Sequence, residues 1–591
     1  MSGVVADSMA PSPRPIPWRL HGLTAAVALP LLVAPAAIPD AVFFNQVAAL
    51  LLWGLWCMQA TLQGASTHWS LRVALTALLL LATLALGPRL ATGRSPAEGL
   101  LLLAAGVVLL TGASQAHDTA VWTAWSRGWW IAGLGCVLVA LVQFFAPSLA
   151  DGWWIASNTA PGRAVGNMRQ PNHLSTALLC ATVMTASLWQ AGRLAPRWAR
   201  ASMVLMVVAL ALTASRTGML SLALLVAWAA FDRTLPRAVR RTLAATPLVY
   251  AAAWGVTAFW AQWRHAAFFG AERLAQQGGD ISSSRYAIWR NTLALIAEQP
   301  WAGVGWGNFN IAWTLTPFVD RPIAFFDHSH NALLQLAVEV GIPVALLVLV
   351  LLGAALWGAR GALGRAMVGG TAGNTGGALP MAYPGRAALV MLAVLAAHSL
   401  LEYPLWYAYF LLPAAWVLGV VLGLGAGDAA GGGKAVAGVP TRGLAVRVAG
   451  VLMVAGALYA AWDHGRVADI FAPSPGAAPL QERIERGQRS RLFGHHADYA
   501  AATTDPRDLN LATFDRPLHQ LVDVRLLQAY AEALHAAGHE PEARYAAQRL
   551  REFRRADAQA WFADCSGPAP GWQCETAPVQ GLDWRTMAAV R

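Results

Sequence analysis

Charge is what this sequence most lacks. Aspartate, glutamate, lysine and arginine together make up 12% of its 591 residues, where a soluble domain carries about a quarter. That scarcity excludes an ordinary soluble globular chain. Lysine is nearly missing: Lys434 is the single one, and arginine supplies the rest of the basic side behind a formal charge of +11. The arginines are scattered between apolar runs rather than gathered on one polar face, so no nucleic-acid partner is expected. Strand-like alternation is missing too. Stretches such as 201–214 (ASMVLMVVALALTA) are continuously apolar, which excludes a barrel and leaves helices as the spanning element. Cysteine is sparse and no Cys/His spacing matches a zinc site, so neither metal nor cofactor is expected.

What is present is hydrophobicity, at 57% of residues. A hydrocarbon core about 30 Å thick needs roughly 20 apolar residues per helix, which predicts an all-α polytopic membrane protein with about 12–13 transmembrane helices. The runs lie near 20–38, 41–60, 73–88, 98–113, 126–146, 173–191, 199–214, 217–231, 243–262, 332–358, 386–402, 404–425 and 445–462. The first follows Arg14 and Arg19 and reads as an uncleaved membrane helix, because further spans follow at once. The 27 tryptophans fit interfacial belts, as at Trp129 and Trp130 or Trp153 and Trp154.

Arginine and lysine accumulate on the cytoplasmic side of membrane helices. With the N-terminus inside, that side gathers Arg72, the group Arg193, Arg197 and Arg200, the group Arg233 to Arg241, then Arg360, Arg365 and Arg386, and finally Lys434, Arg442 and Arg447. The short outer loops hold only Arg89, Arg94, Arg163, Arg169 and Arg216. The chain then divides into a cytoplasmic N-terminus (1–19), N-terminal transmembrane helices (20–262), a periplasmic loop (263–331), C-terminal transmembrane helices (332–462) and a periplasmic helical tail (463–591). Glycine-rich segments at 366–386 and 424–443 read as flexible connectors. The tail opens with a proline-rich linker at 472–479. Amphipathic helices follow at 519–537 and 541–556, a TPR-like hairpin that needs a surface to bury its apolar face. Cys565 and Cys574 share this tail and are a candidate disulfide if it is periplasmic, whereas Cys57, Cys136 and Cys180 read as small buried hydrophobes.

Polar clusters at the outer ends of membrane helices are costly unless they face a cavity, which makes them functional candidates. The first is 166–173 (GNMRQPNH). There Asn172 reads as a plain helix N-cap and Pro171 as a breaker, but Gln170 and Arg169 remain unexplained. In 215–218 (SRTG), Arg216 either snorkels to lipid headgroups or binds a pyrophosphate with its planar fork. In 282–290 (SSSRYAIWR), Arg285 and Trp289 share one face of a short helix, and Arg285 offers a second cation for a diphosphate. In 327–331 (DHSHN), two histidines and an aspartate open a helix. Imidazole suits proton removal near neutral pH, and a helix N-terminus would keep the ring unprotonated; metal ligation by His328 and His330 is the rival reading. In 398–410 (HSLLEYPLWYAYF), Glu402 marks a turn or, with Tyr403 and Tyr407, orients an acceptor hydroxyl.

Together GNMRQPNH, SRTG, SSSRYAIW, DHSHN with EVG at 339–341, and EYPLWYAYF resemble the O-antigen ligase superfamily, and within it the PglL-type O-oligosaccharyltransferases, over roughly 165–410. The resemblance implies a GT-C-like helical bundle in the bacterial inner membrane, with its site on the periplasmic face. It implies an undecaprenyl-diphosphate oligosaccharide donor, membrane lipids around it, and a Ser or Thr hydroxyl of a periplasmic or pilin protein as acceptor. By motif, His330 corresponds to the family's essential histidine, and Arg216 and Arg285 to its donor-holding arginines. Gln170 and Tyr403 correspond to positions associated with transfer, while Asn172, His328, Asn331 and Glu402 take binding or supporting places. A lipid A-core acceptor, a Wzy-type polymerase and, in another class, a polytopic transporter are the competing readings.

Overall fold

A computed structural model describes residues 18–60, 68–158, 160–275, 281–368, 382–425, 440–506, 509–520, 522–568, 570–575 and 581–590. The first half forms α1 (His21–Leu32), α2 (Phe43–Gln59), α3 (Trp69–Thr92), α4 (Ala97–Ser114), α5 (Thr119–Phe145), α6 (Pro171–Gln190), α7 (Pro196–Leu212) and α8 (Arg216–Phe231). A basic helix, α9 (Arg237–Ala244), turns into α10 (Thr246–Arg264). The long loop carries α11 (Phe269–Ala275), α12 (Ile281–Glu298) and α13 (Phe309–Leu315). The apolar set closes with α14 (Ala332–Val368), α15 (Ala382–Ser399), α16 (Ala408–Leu424) and α17 (Pro440–Phe471). The tail contains α18 (Leu480–Gln488), α19 (Gly494–Thr504), α20 (Asp515–Leu518), α21 (Val524–Ala536), α22 (Glu540–Glu552), α23 (Ala556–Trp561) and α24 (Trp584–Ala589). Among the described residues there is no strand.

Each expected apolar run coincides with a helix, the run at 243–262 entering α10 from the end of α9, and among the described residues six helical stretches are long and apolar enough to cross a membrane. The chain is a multi-pass membrane protein. Where ends shift, a local cause is visible. Helix α5 starts at Thr119, ahead of its apolar run, because the Asp118 carboxylate caps it, accepting from the Ala120 and Val121 amides. Helix α1 stops at Leu32, short of 38, with Pro35 and Pro39 just beyond. Helix α17 runs past 462 to Phe471 and ends before Pro473. The connectors at 366–386 and 424–443 lie largely outside the described residues, as does most of the N-terminus.

One span departs from a simple rod. In α14 the backbone breaks at Gly341 (φ 77°, ψ 160°), with Pro343 two residues on. The loop before α13 laces into the break: the Val304 amide donates to the Val338 carbonyl (2.7 Å), Gly305 to Glu339 (2.9 Å), and Ile342 to Pro300 (2.8 Å). A Cβ at Gly341 would lie 2.2 Å from the Trp301 carbonyl oxygen, so only glycine fits.

The bundle core is apolar and close-packed. Small residues let backbones approach: a Cβ on Gly112 or Gly419 would sit 2.1 Å from a carbonyl of the facing helix, α16 or α4. The tryptophans divide. Trp153 and Trp154 are exposed, but Trp129 is wholly buried with Trp53, Trp125 and Trp416, and Trp125 stacks on Trp416 at 4.3 Å. The belt expectation therefore fails for Trp129, whose position on α5 faces neighbouring helices instead of lipid.

A second core joins α12 and α13 to the tail. Helices α21 and α22 form the expected hairpin around Gly538 (φ 84°), and its apolar face docks on the loop. Phe553 stacks on Phe325 at 3.8 Å, and the Tyr545 hydroxyl donates to the Leu315 carbonyl (2.7 Å). Arg94, after α3, reaches Asn308 (3.2 Å) and Asp515 (3.0 Å), so that turn, the loop and the tail share one end of the bundle. Cys565 and Cys574 form a disulfide, and Cys57, Cys136 and Cys180 are buried free thiols.

Candidate functional site

The polar clusters meet at that same end. Glu402 stands in the turn between α15 and α16 and is 5% exposed. Its Oε2 accepts from Gln170 Nε2 (2.8 Å), and its Oε1 accepts from Asn172 Nδ2 (2.7 Å) and from Arg285 Nη2. Two segments far apart in sequence thus converge on the carboxylate of a third. Burial pushes the Glu402 carboxyl up, and the Arg285 cation and the amides pull against it.

The capping expectation changes here. Gln170, not Asn172, is the N-cap of α6: its Oε1 accepts from the His173 amide (2.7 Å), and Pro171 is the first helical residue. Asn172 is thereby freed to bond Glu402 while its Oδ1 accepts from the Ser215 hydroxyl (2.6 Å). Ser215 caps α8, and Arg216 is the first residue of that helix, so the SRTG motif is tied to the hub one residue away from its arginine. Arg169 donates instead to the Asn167 and Ala34 carbonyls, in the left-handed region at φ 55°.

His328 and His330 flank Tyr403. The His328 ring lies flat on it (4.1 Å, 8°), and His330 meets it edge-on (5.1 Å, 67°). Trp406 meets His328 edge-on at 4.8 Å. His330 holds a left-handed backbone (φ 55°), and its Nδ1 is buried without a hydrogen-bond partner among the described residues. Burial, then the charges of His328 and Arg285, bring the His330 imidazolium pKa down to about 4, so the ring is neutral at pH 7. The direction matches the expectation but the cause differs, since burial and neighbouring cations do what a helix terminus was expected to do. Burial disfavours the His328 cation, yet the Asp327 carboxylate 2.7 Å away outweighs it and raises that ring. The two imidazoles are pushed apart, which suits one for accepting a proton and the other for carrying charge.

Asn331 serves the structure of its own helix. Its Oδ1 accepts from the Leu333 and Leu334 amides at the start of α14, and its Nδ2 donates to the Leu400 carbonyl (3.0 Å). Two histidines to which the sequence assigned no role also belong here. His173 contacts the Tyr409 hydroxyl (2.9 Å) and packs on Tyr407 (4.6 Å), and His398 contacts the Thr176 hydroxyl (2.8 Å). Their residence inside the same two motifs was the available signal. Among the described residues no three His, Cys, Asp or Glu groups are arranged to hold a metal ion.

The motifs that converge coincide with known family patterns. Residues 164–189 match the family described as protein glycosylation ligase, 201–349 that described as O-antigen ligase, and 386–564 that described as virulence factor membrane-bound polymerase, C-terminal. Over these segments the chain is similar to the O-antigen ligase/PglL superfamily. It is also similar to a general O-oligosaccharyltransferase of Acinetobacter baylyi, 25% identical over 272 residues, and to a ComP-specific O-oligosaccharyltransferase of the same organism, 24% identical over 283. These alignments cover 44% and 46% of this chain and the same shares of the relatives, less than half of each.

Proposed function

We propose that this protein is an O-oligosaccharyltransferase. It passes a glycan en bloc from an undecaprenyl-diphosphate carrier to a Ser or Thr hydroxyl of a periplasmic or pilin protein, at the periplasmic face of the bacterial inner membrane. The observation that carries this reading is the meeting of Gln170, Asn172 and Arg285 on buried Glu402, beside His330 and Tyr403. The names of the Acinetobacter relatives and the glycosylation-ligase match at 164–189 support it.

In this mechanism Arg285 and Arg216 hold the diphosphate. Arg285 Nε is buried without a hydrogen-bond partner among the described residues and is available to an anionic oxygen. The acceptor hydroxyl oxygen attacks the anomeric carbon as its proton passes to neutral His330. The bond from that carbon to the diphosphate breaks, the electron pair stays on the leaving oxygen, and the guanidinium groups stabilise the charge. A single displacement inverts the anomeric centre. Tyr403 and Gln170 border the acceptor, and Glu402, Asn172 and His328 keep the reacting groups in register.

Co-expression with a candidate pilin and a lipid-linked glycan pathway tests this by the intact mass of the acceptor. Addition of one whole glycan unit is expected. An unmodified pilin together with a glycan-extended lipid A-core would replace the reading with an O-antigen ligase, which the match at 201–349 favours as the second possibility.

A further inference from the structure

Helix α8 buries one stripe, Gly218, Ser221, Leu225, Trp228 and Ala229, and packs on α6, α9 and α15. Its other stripe, Met219, Ala223, Val226, Ala227 and Ala230, faces a hollow of about 680 Å³, whose opposite wall includes Tyr250 of α10. Helix α10 packs chiefly on α7 and leaves this space open along α8. Among the described residues the lining carries one polar side-chain group, the Tyr250 hydroxyl. Soluble ligands are held by several placed polar groups, so a wall this apolar suits hydrocarbon. At 1.5 Å per residue, Met219 to Ala230 spans roughly 17 Å, over half of a bilayer's hydrocarbon thickness. One end of the hollow is also chemically marked. Met219 lies one helical turn after Arg216, at the N-terminus of α8, whose cap Ser215 is bonded into the Glu402 hub.

We infer that the hollow between α8 and α10 seats the first part of the donor's polyisoprenoid tail, with the diphosphate at the Arg216 end. This rests on the donor class proposed above. The argument is continuity: a hydrocarbon groove that begins one turn from a cation and a helix N-terminus joined to the candidate site suits an amphiphile with an anionic head. The small Ala223, Ala227 and Ala230 side chains provide the depth.

The full chain in nanodiscs, irradiated with undecaprenyl diphosphate bearing a diazirine in its tail, tests the assignment by peptide mapping. Labels are expected within 219–230 and 247–250, displaced by undecaprenyl phosphate and not by phosphatidylglycerol. Ala223→Trp and Ala227→Trp should each lower that labelling about tenfold, the effect expected from blocking about two buried methylenes, while a diazirine analogue of farnesyl diphosphate labels the Arg216 end as before. Labels elsewhere, equal displacement by phosphatidylglycerol, or wild-type labelling in both variants would overturn it. Because labelling needs no acceptor, a chain that labels as expected and modifies no protein sinks the transferase reading and leaves the groove standing.

Discussion

Arg285 and Arg321 are both held inside the protein by a glutamate, and they are used differently. Arg321, 2% exposed, spends every nitrogen on the protein: Nε on Glu552 (3.0 Å), Nη1 on the Trp313 carbonyl (2.9 Å) and Nη2 on the Thr316 carbonyl. The rings of Trp313, Phe318 and Phe553 surround it at 4.9, 5.2 and 4.6 Å. Arg285 gives Nη2 to Glu402 and keeps a buried Nε with no hydrogen-bond partner among the described residues. A buried cation whose donors are all consumed is a rivet between loop and tail. One that retains an unspent donor beside other polar groups is equipped for a ligand.

This contrast is broken most directly at the site. His330→Ala is expected to abolish transfer, a loss on the order of 10²–10⁴-fold for a general base, with helicity and membrane insertion unchanged; glycosylated acceptor from that variant would remove His330 from the mechanism. Arg285→Ala should lower kcat/KM by about 10²–10³-fold, as for a lost charge-stabilising donor, with little change in protease resistance of the tail. Arg321→Ala should invert that pattern, weakening tail docking by about 1–3 kcal/mol because it leaves the buried Trp313 and Thr316 carbonyls without their donor and opens the aromatic cage, read as early tryptic release of the tail. If both arginine variants behave alike, the distinction fails.

Acid titration sharpens the comparison further. His330 in the fold titrates at about 4, below the ordinary value of about 6.5. Its neutral form therefore persists as pH falls through 6.5, and kcat/KM should decline only as pH approaches 4. For stability the sign is the same: the unfolded chain binds this proton more readily, so the residue's contribution is complete above 6.5 and is lost as pH drops toward 4. Arg285→Gln removes one cause of the depression and should move the acid limb of the profile upward. The smallest effect belongs to Cys565→Ser with Cys574→Ser. Opening a nine-residue closure should cost the tail's end about 2–3 kcal/mol, visible in local hydrogen exchange and leaving transfer intact.

The helical membrane plan was legible because the solvent enforces it: an apolar run in hydrocarbon has few alternatives to a helix. The placement of Glu402 beside Gln170 and Arg285 was not legible, because residues more than a hundred positions apart meet only through helix packing. The motifs marked which residues mattered better than what each did. Asn172 and Gln170 exchanged the capping role, since the cap depends on which side chain reaches the His173 amide. Asn331 became a helix cap, and Trp129 left the interface for the interior. Arg321 gave no signal at all, lying outside every quoted motif and drawing its role from a tail more than two hundred residues away.

The interruption of α14 has a mechanical consequence. Hydrogen bonds the helix forgoes around Gly341 are made sideways, to the turn at 300–305. The stretch from that seam round to Asn331 is thus a closed noose, fastened to the rod on which its far end begins. The upper part of α14, the loop and His330 are thereby fastened together at two places, and Asn331 ties that unit to the Leu400 carbonyl in the turn that carries Glu402.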